Sequence, residues 1–208
     1  MNQDRLILAS ASPRRRELLA RIYAAFDVDP CPYPEPPRKS GKTEPRMWAE
    51  SLAYFKARAV ADRHPKSWIL AADTLVVCRD EILGKPRDLD DARRMLELQA
   101  DRAGDVVTGV CLVRREAGRE RLTQCSVTRV WMRDDPAARE AYLQSGDWQG
   151  KAGAYGIQDA GDRLVARIDG SFSNVVGLPL ELVAQMLQSV GLPAGTPPPE
   201  RWEPANRT

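Results

Sequence analysis

Trp68-Ile69-Leu70-Ala71-Ala72-Asp73-Thr74-Leu75-Val76-Val77 decides the fold. The run is apolar apart from Asp73 and Thr74, and it is bounded by polar turns, which predicts a central strand. Arg79-Asp80-Glu81 turns the chain and Ile82-Leu83 returns. Upstream, Leu6–Ala9 is a short apolar run read as a buried strand. Ser12-Pro13 then opens a helix to about Tyr23, because Ser caps free N–H groups and Pro suits the first helical position. Phe26–Asp29 reads as a second strand. Residues 30–45 hold five Pro before Pro45 and form a loop or lid. Pro45–Arg63 reads as a helix with Trp48, Leu52, Phe55 and Ala59 on one stripe, Lys56 at its edge and Glu50 facing away. Downstream, Leu89–Gln99 is a helix offering Ala92, Met95, Leu96 and Leu98 for burial. Val106–Arg114 and Leu122–Met132 form a hairpin through Ala117-Gly118. Pro136–Gln144 is a helix, residues 146–175 are Gly-rich with a short strand near Leu164–Ile168, and Leu178–Val190 is the last helix. This order predicts an α/β fold with a mixed sheet.

The chain has 208 residues, so one domain over 1–192 is expected, followed by a loose Pro-rich tail over 193–208. At 43% hydrophobic residues it is too apolar for a disordered chain. Lys plus Arg number 31 against 29 Asp plus Glu, a net charge of +2 that gives no global drive toward nucleic acid or anionic membrane. No segment reaches the roughly 18 apolar residues of a membrane span. The apolar stretch at Leu6–Ala11 is too short for a signal peptide, so a cytoplasmic protein is expected. Cys31, Cys78, Cys111 and Cys125 show no C-x-x-C spacing and read as small hydrophobes of a reducing compartment.

Four places could carry chemistry. Ser10, Ser12, Arg14, Arg15 and Arg16 cluster between a strand and a helix start. Cations in a first helical turn oppose the dipole, so three of them there point to an anion site. Asp73 is a lone carboxylate in a central strand, costly to bury unless paired, metal-bound or protonated. A metal ligand, a general base and a structural Asp are all open to it. Lys85, in Gly84-Lys85-Pro86, could meet phosphate as a point charge, and Lys56 is a second such lysine. Gln158, closing Ala152-Gly153-Ala154-Tyr155-Gly156-Ile157-Gln158, has an amide that can read a base edge. Pro36 to Thr43 ends like a P-loop, but Pro36 replaces its first Gly and lacks the needed N–H. His64 has no second His or Cys partner, which argues against a zinc centre or a Ser-His triad.

Seven blocks in order resemble the Maf family of nucleoside triphosphate pyrophosphatases. They are Leu8-Ala-Ser-Ala-Ser-Pro-Arg-Arg15, Leu52-Ala53 with Lys56-Ala57, Ala72-Asp73-Thr74, Leu83-Gly-Lys-Pro86, Thr108-Gly109-Val110, Lys151-Ala-Gly-Ala-Tyr-Gly-Ile-Gln158 and Asn174-Val-Val-Gly-Leu-Pro179. The resemblance implies a two-lobed, Maf/ITPase-like α/β fold, a mixed sheet with flanking helices and a central cleft. It implies hydrolysis of a nucleoside triphosphate between the α- and β-phosphates, with a divalent cation, Mg²⁺ or alternatively Mn²⁺. By motif position, the resemblance implies Asp73 as the proton acceptor, Lys56 and Lys85 as catalytic cations, Ser10, Arg14 and Lys85 as phosphate contacts, and Ser12 and Arg15 as further substrate-binding residues. Glu35 would join Asp73 at the metal, although Tyr33-Pro34-Glu35 departs from the family's usual Asp-Glu pair. Arg14, Thr74 and Gln158 match the subtype that prefers dTTP and UTP. Gly104 stands where the family often has His. A homodimer is expected at family level. Two rival readings are a non-catalytic nucleotide-binding regulator of septum formation and a housecleaning pyrophosphatase for non-canonical purine nucleotides.

Overall fold

A computed structural model describes residues 5–36, 44–116, 120–158, 160–199 and 202. The apolar run at the centre of the sequence is strand β3, Trp68–Cys78, buried along nearly its whole length. Around it lie β1 (Leu6–Leu8), α1 (Pro13–Ala20), β2 (Phe26–Val28), α2 (Pro45–Ala61), β4 (Glu81–Leu83) and α3 (Leu89–Gln99). There follow β5 (Ala103–Arg114), β6 (Glu120–Met132), α4 (Pro136–Ser145), β7 (Val165–Asp169), α5 (Phe172–Val176) and α6 (Leu180–Ser189). The strands form one seven-stranded sheet in the order β2-β1-β3-β5-β6-β7, with β4 also on β3. β1 pairs in parallel with both β2 and β3, whereas β3–β4 and β6–β7 are antiparallel. The sheet is therefore mixed, as the alternation of strands, helices and a hairpin required.

Contacts divide the chain into two compact units. Unit 1 takes the described residues up to Asp73, Thr108–Ser126 and Gly177–Pro199, and unit 2 takes Thr74–Val107 and Val127–Val176.

In unit 1, α2 begins at Pro45 with the Glu44 carboxylate accepting the Met47 N–H at 2.9 Å. Its buried residues are Ala49, Leu52, Ala53, Ala57, Val60 and Ala61. Trp48, Phe55 and Ala59 of the expected stripe are only half-buried. The face is turned because small side chains let the helix approach the sheet closely. Ala53, Ala57, Val60 and Ala61 pack on Ile7, Ile69, Ala71, Cys111 and Val113. At Gly109 of β5 the helix backbone comes within the space a side chain would need, since a Cβ there would lie 2.4 Å from the Ala49 carbonyl oxygen. Gly109→Ala should therefore destabilise by about 1–3 kcal/mol or more, read as a lowered urea midpoint, because backbone cannot move aside as a side chain can. After α6, Gly195 N–H donates to the Ile22 carbonyl at 2.8 Å, and Gln188 donates to the Ala194 carbonyl.

In unit 2, α3 is capped by Asp88, whose carboxylate accepts the Asp91 N–H at 2.8 Å. Ala92, Met95 and Leu96 are buried as expected, but Gln99 takes the place expected of Leu98. Burying a side-chain amide requires partners, and Gln99 Nε2 has two carbonyls, of Met95 and Gly153. Asn174 of α5, a helix not anticipated from the sequence, is fully buried and donates to the Val106 carbonyl and Thr128 Oγ1. A Cβ at Gly104 would lie 2.9 Å from the Val77 carbonyl oxygen, so close strand packing explains the glycine here.

The P-loop-like Gly41-Lys42-Thr43, the hairpin turn at Ala117-Gly118 and residues 203–208 lie outside the described residues. Among the described residues, no helix is long and apolar enough to cross a membrane.

Candidate active site

The turn after β1 builds itself from its own hydroxyls. Ser10 Oγ accepts the Ser12 N–H at 3.2 Å, and Ser12 Oγ caps α1 by accepting the Arg15 N–H at 3.4 Å. Accepting leaves both hydroxyl protons free to be donated outward. Ser10, Ser12 and Arg16 share the lining of a groove of about 930 Å³ in unit 1. Arg14 is half-buried and Arg16 exposed.

Arg15 behaves differently from its neighbours. Its Nε donates to the Gly177 carbonyl at 2.8 Å and its Nη1 to the Ala72 carbonyl at 2.7 Å. The guanidinium therefore ties α1 to the residue immediately before Asp73. Burial lowers the Arg15 pKa, and the negative charge of Asp73 opposes that. One of the three cations in the unfavourable first turn is thus occupied by backbone carbonyls.

Asp73 is 5% exposed. Ile69 and Ala71 of β3 pack against α2, and the two-residue period of a strand puts Asp73 on the same face. Lys56 lies one helical turn after Leu52 and one before Val60, so α2 presents it to that face. Lys56 Nζ donates to Asp73 Oδ1 at 2.5 Å and to Glu35 Oε1 at 2.7 Å. One ammonium thus bridges two carboxylates, one buried and one 45% exposed along its side chain. Burial raises the Asp73 pKa above the ordinary carboxylate value. Lys56 and Arg15 pull it down, and Glu35 adds to the rise. The structure therefore brings together Asp73, Lys56, Glu35 and Arg15, which the sequence singled out separately. Thr74 follows on β3, so its side chain takes the opposite face from Asp73.

Unit 2 carries Lys85 and Gln158, both exposed. Lys85 follows β4, and the Gly84 carbonyl before it accepts the Gly153 N–H at 3.0 Å. The Lys85 turn and the segment ending in Gln158 are therefore joined. That segment has two further anchors, which the sequence reading missed. Gln99 Nε2 donates to the Gly153 carbonyl at 2.8 Å, and the Tyr142 hydroxyl accepts the Gly156 N–H at 3.1 Å. Buried Lys151 lies with its Nζ 5.9 Å from the centroid of the Tyr142 ring. Burial pushes the Tyr155 pKa well up, keeping its hydroxyl neutral. The signal for Gln99 was its spacing: with Ala92, Met95 and Leu96 it completes a helical stripe, where a polar residue needs a fixed partner. Gln99→Leu should speed amide exchange across residues 152–158 about tenfold or more, because it strips a buried carbonyl of its donor.

His64 Nε2 lies 2.7 Å from Asp29 Oδ2, and Arg63 also pairs with Asp29. It belongs to an ion cluster outside this site. All four cysteines are free thiols, with Cys78 and Cys111 buried.

The relatives of this chain share it almost end to end. A dTTP/UTP pyrophosphatase of Myxococcus xanthus is 46% identical over 196 residues, covering 93% of this chain and 97% of that protein. A dTTP/UTP pyrophosphatase of Moorella thermoacetica is 44% identical over 189 residues, covering 91% and 96%. Among solved structures, a nucleoside-triphosphatase, dITP/XTP pyrophosphatase, of Mycobacterium abscessus aligns over 88% of this chain and 93% of that one. Its sequence identity is 16% and its TM-score 0.47. The family pattern described as Maf-like protein matches residues 5–190, from the residue before β1 to the residue after α6. Since that span carries every side chain described above, the chain belongs to the Maf family.

Proposed function

We propose that this chain hydrolyses dTTP and UTP to the monophosphate and pyrophosphate. The observation that carries the reading is the Asp73–Lys56–Glu35 bridge. A carboxylate buried in a central strand, with its pKa raised by burial and its charge held by one ammonium, is suited to take a proton from water. A module that only binds nucleotide needs no such group, which favours hydrolysis over a regulatory role. The names of the relatives favour dTTP and UTP over purine substrates.

In this reading Asp73 accepts the proton of the attacking water as the new P–O bond forms and pyrophosphate departs. Lys56 pulls Asp73 toward its ionised form, against the effect of burial, and balances charge in the site. Arg15 acts as a positioning residue, through the Ala72 carbonyl, and adds positive charge beside Asp73. Ser10 and Ser12 donate their hydroxyl protons to phosphate oxygens, and Arg14 and Lys85 meet the phosphates as cations. Gln158 and Thr74 select the base, Gln158 through an amide that both donates and accepts.

A divalent cation fits the donor set. Among the described residues no three His, Cys, Asp or Glu gather around one point. Mg²⁺ characteristically takes one or two carboxylates and completes its shell with water and substrate phosphate oxygens. Asp73 and Glu35 would hold it, and when bound it supplies charge neutralisation on the phosphates. The compartment in this reading is the cytoplasm, consistent with four free thiols.

The test is pyrophosphate release by the purified chain with Mg²⁺ across dTTP, UTP, CTP, ATP, GTP, 7-methyl-GTP and ITP. Release confined to dTTP and UTP is expected. Preference for ITP would replace the substrate assignment, and no release from folded protein would overturn hydrolysis.

A further inference from the structure

Unit 1 holds a second cluster of cations on another side of α2. Tyr54 and Arg58 of α2 and Asp62 just after it line a groove of about 340 Å³ with Arg114, Arg115 and Arg121. Tyr54, Arg58 and Asp62 are spaced four residues apart and share one helix face. Lys56, two residues from Tyr54, points roughly 200° away around the helix. The groove is therefore distinct from the Asp73–Lys56 site.

Its charges do not cancel. Arg115 pairs with Asp62, and Arg114 pairs with Glu120 at 3.1 Å. Arg58 and Arg121 make no ion pair with a carboxylate among the described residues. The last-turn position of Arg58 suits the helix dipole, but that accounts for Arg58 alone. Arg121 lies on β6, its guanidinium stacked 4.4 Å from the Tyr54 ring centroid, and Arg114 stacks likewise at 4.6 Å on Trp68. Stacking fixes a guanidinium plane while leaving its N–H edge open for hydrogen bonds. The groove thus holds two uncompensated forks, one from a helix and one from a strand, one of them already oriented. The whole chain carries only +2, so the excess in this groove is not a share of a large overall positive charge.

We propose that this groove binds a compact phosphoryl polyanion of the pyrophosphate class. Guanidinium forks pair with phosphoryl oxygens two at a time, and a tetrahedral group presents oxygens to forks arriving from different directions. A planar carboxylate serves fewer forks at once. A groove of about 340 Å³ takes a small anion and offers no extended track for a nucleic-acid strand.

The experiment is equilibrium dialysis of labelled inorganic pyrophosphate against the full chain in EDTA, with citrate and a single-stranded oligonucleotide as comparison ligands. Saturable pyrophosphate binding to the wild type is expected. Arg58→Ser/Arg121→Ser should weaken it about tenfold or more, with dTTP turnover and thermal melting unchanged. Asp62→Asn should tighten it several-fold by releasing Arg115, a gain that misfolding cannot imitate. An unchanged affinity in the double variant would assign the binding to the Asp73–Lys56 site and overturn the proposal. So would no saturable binding to the wild type, equal affinity for citrate, tighter binding of the oligonucleotide, or no tightening in Asp62→Asn.

Discussion

Asp73→Asn lowers kcat for dTTP and UTP by about 1,000-fold or more, while nucleotide still binds. Asn keeps the size and a hydrogen-bonding oxygen toward Lys56 but cannot take a proton from water. Binding is measured by calorimetry with the nucleotide and turnover by pyrophosphate release. Turnover within tenfold of wild type would remove Asp73 from its proposed role. Stability gives an independent check whose sign follows from the raised pKa. In the folded state burial favours protonated Asp73 more than the unfolded chain does. Its contribution to stability is therefore fully present below the ordinary aspartate value of 3.8 and is lost as pH rises through the raised folded value. Asp73→Asn has no such loss. The variant's stability relative to wild type should improve as pH rises through that window, seen in urea midpoints across a pH series.

Lys56→Met gives the second large effect, and pH separates it from simple damage. The ammonium contacts both Asp73 and Glu35, so its removal costs about 100-fold or more in kcat/KM near neutral pH. It also removes an attraction that holds the Asp73 pKa down. In the wild type the acidic limb of kcat/KM falls above the ordinary aspartate value, and in Lys56→Met it moves to higher pH. Glu35→Gln moves it the other way, because Glu35 is a like charge that raises the Asp73 pKa. Opposite shifts from two neighbours on one ammonium would tie the limb to Asp73. A limb that ignores both substitutions would belong to another group.

These predictions rest on a site only partly legible in the sequence. Asp73 stood out because a carboxylate in an apolar strand has to be explained by something nearby. Ser12-Pro13 marked a helix start by local hydrogen bonding and a fixed φ, and α1 does begin at Pro13. Leu89–Gln99 was readable to the residue from its apolar spacing, and in the structure the Asp88 carboxylate caps it at that same point. The ordered blocks shared with the Maf family carried the rest of the functional reading.

Other features depend on distances between segments far apart in the chain. The stripe of α2 favoured Trp48 and Phe55 because hydrophobic spacing weighs large side chains most. The helix instead buries its alanines, since Gly109, 60 residues beyond Ala49, sets how closely helix and strand approach. Three consecutive arginines read as one anion-binding group. Only tertiary structure separates Arg15, held by the carbonyls of Ala72 and Gly177, from its neighbours.

The sequence by itself determined the strands, every helix except α5, the mixed α/β class, the family and the carboxylate set in an apolar central strand, because these follow from local periodicity, capping and motif order. Tertiary structure decided which cation meets that carboxylate, that Glu35 shares it, and that Gln99 and Tyr142 hold the segment ending in Gln158. Hydrogen bonds act over about 3 Å in space and are indifferent to separation along the chain. Such partnerships exist only once the fold has brought their ends together.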